Sequence, residues 1–114
     1  MKKLSLLLTA LFISVSSVMA QEKEIVESEF KVFGNCSMCK TRIEKAVKIK
    51  EVKYAKWNKD TKMLKVAFDS SIPVDSLQKR IAEAGHDTEK FKAKDDVYAA
   101  LPKCCLYRDN PKTH

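Results

Sequence analysis

Glycine is nearly missing from this sequence: its 114 residues contain two, Gly34 and Gly85. A Gly-rich loop that could cradle phosphates is therefore excluded. No Ser-His-Asp-like grouping exists, since the two histidines are His86 and His114, and the acids are scattered over charged faces. No catalytic constellation can be assembled from these residues, so the chain is not expected to be an enzyme. Repeats and low-complexity segments are also absent, and the length is short for more than one domain. The longest apolar run, Leu4 to Val15, falls short of the roughly 20 residues that a membrane-spanning helix needs.

That run has another use. Met1-Lys2-Lys3 supplies a positive start, and Ser16-Ser17-Val18-Met19-Ala20 puts small residues where a signal peptidase reads them. Residues 1–20 are expected to be a cleaved signal peptide, giving an exported protein that is not integral to the membrane once processed. No cysteine stands at the cleavage point, so a lipid anchor has no support. Residues 21–27 are charged and read as a flexible segment. Removing Lys2 and Lys3 lowers the formal charge from +7 to +5. Because lysines alternate with acids and export is expected, this charge reads as a solvated surface and not as a nucleic-acid site.

Phe30 and Val32 alternate with Glu29 and Lys31, as in a half-buried strand ending at Gly34. A helical pattern follows from Cys39: Ile43, Ala46 and Val47 share a face, with Lys40, Arg42, Glu44 and Lys48 turned outward. Residues 52–68 read as a hairpin turning at Asn58-Lys59-Asp60-Thr61, with Leu64, Val66 and Phe68 inward. Pro73 opens a helix striped by Val74, Leu77, Ile81 and Ala84, and Gly85 stops it. His86 to Lys92 reads as a last strand, and a short helix from Asp95 or Asp96 ends before Pro102. The predicted fold class is α+β, a ferredoxin-like βαββαβ sandwich with a C-terminal extension.

Cysteine provides the chemistry. Four residues form two close pairs, Cys36/Cys39 and Cys104/Cys105, unlike a spread disulfide framework. In Cys36-Ser-Met-Cys39 the first thiol lies in a loop and the second opens a helix, so both can turn toward one point. The positive helix start favours thiolate. Soft sulfur ligands select Cu(I), Hg(II)-like ions, Zn or iron–sulfur clusters. Two cysteines alone cannot complete a tetrahedral structural zinc site. A low-coordinate soft ion fits best, with Cu(I) first and Hg(II) or Zn(II) as alternatives.

Residues 28–92 resemble a heavy-metal-associated domain, the module of copper chaperones, metal-ATPase N-terminal domains and the periplasmic mercury-binding protein. The resemblance rests on Phe33-Gly34, the C-x-x-C of Cys36 and Cys39, the Ile43–Val47 helix and Ala84-Gly85-His86-Asp87. It implies a periplasmic metal carrier that sequesters or transfers an ion by thiolate exchange. The implied partner is a metal-transporting membrane protein or another thiol-rich carrier. In the family's usual loop a Met stands two residues before the first Cys. Here that position is Gly34, and Met38 lies inside the motif instead, either solvent-facing or as a thioether ligand. His86 falls in the loop that the family places beside the metal, so it reads as a weak third ligand or as an exposed loop residue. His114 reads as disordered.

Residues 93–114 extend past the domain. Adjacent Cys104 and Cys105 are poorly placed to bridge each other. Three arrangements stay open: the tail thiols join Cys36 and Cys39, bind a second ion, or form disulfides with the loop. The rival function is a periplasmic thiol–disulfide oxidoreductase, which also uses C-x-x-C at a helix start. That reading requires a thioredoxin-like order and a cis-proline facing the cysteines, whereas Pro73 stands at a helix start.

Overall fold

The computed structural model describes residues 24–114; the expected signal peptide lies outside the described residues. Its elements are β1 (Ile25–Lys31), α1 (Ser37–Ala46), β2 (Val52–Trp57), β3 (Met63–Asp69), α2 (Val74–Glu83) and α3 (Asp95–Ala99), followed by a 3₁₀ turn at Lys103–Cys105. The three strands form one antiparallel sheet in the order β1-β3-β2. This is the α+β, ferredoxin-like arrangement expected from the sequence.

Period-two patterning fixes the sheet's register. β3 sends Leu64, Val66 and Phe68 inward, and Phe30 of β1 pairs with Leu64. The hairpin turn is built by Asn58, whose Oδ1 accepts from the Asp60 and Thr61 amides at 2.8 and 3.0 Å. Lys62 closes it at φ 66°. Ile43 and Val47 from α1 and Leu77 and Ile81 from α2 meet the inward strand residues in one core, and all four are fully buried. Each such side chain contributes about 1.5–3 kcal/mol of transfer free energy. Among the described residues, no helix is long and apolar enough to cross a membrane.

Three expectations need correction. The segment read as flexible up to residue 27 is already strand from Ile25, because Val26 pairs with Phe68 and Ser70 N–H reaches Glu24 O at 2.8 Å. Backbone pairing with β3 overrides the charge of Glu27 and Glu29. The strand expected at His86 to Lys92 shrinks to a single bridge, Val32 to Thr88. There the chain turns back at once, with Thr88 N–H donating to Phe91 O at 2.8 Å and Asp87 Oδ1 accepting from Ala93 N–H at 2.8 Å. The extension, finally, is part of the core. Tyr98, Leu101, Cys105 and Tyr107 are all buried.

Arg108 fastens this extension. Its Nε and Nη2 donate to both Asp87 carboxylate oxygens at 2.9 and 2.7 Å, and Nη2 also reaches Ala93 O at 2.7 Å. Tyr107 Oη donates to Gly85 O and accepts from Asp87 N–H, both at 2.7 Å. Gly85 sits at φ 109°, and a Cβ there would lie 2.9 Å from Leu101 Cδ2. The glycine thus serves both the helix stop and the tail's close approach.

Candidate metal centre

The loop between β1 and α1 is short, and Cys36 caps the helix in an extended conformation, φ −150° and ψ 174°. Cys39, one turn in, faces the core beside Ile43. Their sulfurs stand 3.4 Å apart. The 3₁₀ turn then delivers Cys105, whose Sγ is 3.5 Å from Cys36 Sγ. Cys104 Sγ is 3.8 Å from Cys105 Sγ, and the sulfurs of Cys36, Cys104 and Cys105 all lie within 4.8 Å of one another. All four cysteines are free thiols. The tail folds back and sets its thiols beside Cys36, the placement that the first of the three arrangements requires.

These thiols are close enough to be drawn onto one ion, provided they spread slightly. With metal–sulfur bonds of about 2.3 Å, ligands stand roughly 3.8 Å apart around a tetrahedral ion, about 4.0 Å around a trigonal one and about 4.6 Å across a linear one. The 3.4 Å between Cys36 and Cys39 and the 3.5 Å from Cys36 to Cys105 are shorter than all three, so the sulfurs must move apart to hold an ion, least for a tetrahedral or trigonal one and most for a linear pair.

The environment separates the two loop thiols. Burial would push Cys36 up, but the Cys39 amide donating to its sulfur and the hydrogen bonds it shares with the Cys39 and Cys105 thiols bring it down to about 7. Burial dominates at Cys39 and pushes it up to about 12. Cys36 is therefore the thiol poised to ionise first, at the positive start of α1.

Met38 is half-exposed, and Cys104 Sγ donates to its Sδ at 3.4 Å. His86 fits neither expectation. Its ring is fully buried, stacked on Tyr107 at 5.2 Å, with Nδ1 2.8 Å from Phe33 O and Nε2 without a partner. It stays outside the sulfur group. Burial, aided by the Arg42 charge, lowers it to about 4. His114, expected to be disordered, donates its amide to Asn35 O at 2.8 Å.

Three residues escaped the sequence reading. Asn35 is buried, accepts from Cys39 Sγ at 3.3 Å, and donates Nδ2 to Asn110 O at 2.8 Å. Arg42, read as outward, donates Nη1 to Cys105 Sγ at 3.3 Å and sets a positive charge against the sulfur group. It stands three residues after Cys39 on α1, a spacing that shares a helix face and could have identified it. Trp57 explains the missing Met. A Cβ on Gly34 would lie 3.0 Å from both Cys39 Cβ and Trp57 Cη2, so the indole fills the space beneath the loop.

No family model and no curated protein matches the chain. Solved structures do. CopZ metallochaperone aligns over 55% of this chain and 98% of its own, at 27% identity and a TM-score of 0.53. Oxidized MerP from Ralstonia metallidurans CH34 aligns over 58% and 96%, at 28% identity and 0.54. The water-soluble region of the P-type ATPase CopA from Bacillus subtilis aligns over 58% and 46%, at 28% identity and 0.53. In its fold this chain resembles the heavy-metal-associated domain proteins, and its own C-x-x-C loop stands at the start of α1.

Proposed function

We propose that this protein binds one soft metal ion, Cu(I) in the first place, and passes it on by thiolate exchange. The observation that carries the reading is the position of Cys36 Sγ, within 3.5 Å of both Cys39 Sγ and Cys105 Sγ. Cys36 and Cys39 are the principal ligands, and Cys105 and Cys104 complete the group. A Cu(I) ion with three thiolates carries net negative charge, which the Arg42 guanidinium at 3.3 Å offsets. The likeness to a metallochaperone, MerP and a P-type ATPase region supports carriage of a copper- or mercury-like ion and a metal-transporting partner. The pattern of residues 1–20 supports export to the periplasm. The element order and Pro73 at the start of α2 favour a binder over an oxidoreductase.

Cu(I) competition against a chromophoric chelator tests the reading, with the reduced chain compared with its Cys36→Ser/Cys39→Ser variant. Affinity should collapse in the variant, and unchanged affinity would refute the site. Hg(II) and Zn(II) titrations rank the ions. Reduction of insulin by the wild-type chain would favour the enzyme instead.

A further inference from the structure

Five sulfur atoms connect the surface to the core. Met38 Sδ lies 3.4 Å from Cys104 Sγ, which lies 3.8 Å from Cys105 Sγ. Cys105 Sγ lies 3.5 Å from Cys36 Sγ, and Cys36 Sγ 3.4 Å from Cys39 Sγ. Exposure drops sharply from the outer two sulfurs to the inner three. Met38 is 50% exposed and Cys104 is exposed, whereas Cys36 is 5% exposed and Cys105 and Cys39 are at 0%.

That gradient poses a problem for thiolate exchange, because a partner's sulfur must bond the ion before the last internal sulfur lets go. The three inner thiols are buried, Cys36 at 5% and the other two at 0% exposure. The outer pair is where an incoming ligand first meets sulfur. We propose that Met38 and Cys104 form an exchange port, a thioether–thiolate pair that receives Cu(I) ahead of the buried thiols and releases it after them. This rests on the soft-metal reading of the inner group.

The chemistry of the pair suits a transient stop. A thioether is neutral and soft, so it bonds Cu(I) without losing a proton and binds it more weakly than a thiolate. In uptake, the ion forms bonds to Met38 Sδ and Cys104 Sγ while its bond to the donor's ligand breaks. The Cys104 proton passes to water or to the departing ligand. Cys105, Cys36 and Cys39 then bond in turn, each passing its proton to water or to the departing ligand, as the Met38 bond breaks. Copper stays Cu(I) throughout, and release runs the same steps backward. Cys104 belongs both to the port and to the group within 4.8 Å of Cys36, so it can hand the ion across.

Stopped-flow transfer to the full reduced chain from the Cu(I)–bathocuproine disulfonate chelate provides the test. Met38→Leu keeps the side-chain volume at a half-exposed position, so the fold is retained. The port predicts an uptake rate lower by about tenfold with equilibrium affinity unchanged, a loss at the modest end for groups that assist a metal site. Cys104→Ser should slow uptake as well, and the double variant should be no slower than the slower single one. Wild-type uptake by Met38→Leu would overturn the port. A matching fall in its affinity would also overturn it, by making Met38 a ligand of the holding group. A wild-type chain that takes no Cu(I) would instead overturn the function beneath.

Discussion

Lowering the pH from 7 to 5 should cost the metal-free protein about 2 kcal/mol of stability, and His86 should account for most of it. Its ring is fully buried between Phe33 O and Tyr107, and its Nε2 has no partner. Burial, chiefly, lowers it from 6.5 to about 4, which means the folded protein resists a proton that the unfolded chain accepts. The sign follows directly. The contribution is complete above the unfolded value of 6.5 and is lost progressively as pH falls toward 4. The full difference corresponds to about 3 kcal/mol, of which about 2 is gone by pH 5. Asp87, next in sequence, does not confuse the window. Burial pushes its carboxyl up, but the Arg108 bonds outweigh this and hold it below 3.8, so its contribution fades only at more acid pH. Urea denaturation of the reduced chain at pH 7 and pH 5, beside His86→Gln, measures the effect. Wild type should lose about 2 kcal/mol, roughly 8–16 °C in Tm, whereas the variant should lose little. Equal losses in both proteins would refute the assignment to His86.

Other perturbations reach the sulfur group and its supports. Cys105→Ser should remove one sulfur from the Cu(I) environment seen by X-ray absorption and weaken binding by at least about tenfold; an unchanged sulfur count would exclude the tail. Arg108→Ala breaks the bonds to Asp87 and Ala93 O. It should cost about 2–3 kcal/mol in urea denaturation and speed alkylation of Cys105. Gly34→Ala sets a methyl 3.0 Å from Cys39 Cβ and from Trp57 Cη2, so a loss of about 1–3 kcal/mol is expected in the same measurement.

Periodicity made the core legible. Leu64, Val66 and Phe68 could be placed by alternation alone, and the α2 stripe by helical spacing, because burial on one face is a local property of the sequence. Cys36 and Cys39 could be paired for the same reason, being three residues apart at a helix start. What failed was non-local. β1 reaches back to Ile25 because β3 offers it partners, which no charge count reveals. The last strand dissolves because Asp87 is claimed by Ala93 N–H and Arg108. His86 was judged by its loop, yet it is the returning Tyr107 that covers it. Arg42 looked like one more outward charge until Cys105 arrived beside it.

The contact between Cys36 and Cys105 joins residues 69 positions apart, and most of the described chain lies between them. Such a contact carries a large loop-closure entropy and forms late, after the sheet and helices that shorten the path. A nascent chain therefore displays Cys36 and Cys39 as a bare pair well before Cys105 exists. An ion captured at that stage would meet a two-sulfur clip, and the finished protein would have to close around it. Loading of the completed fold avoids that conflict. The order of synthesis, folding and loading is thus built into the distance between two cysteines.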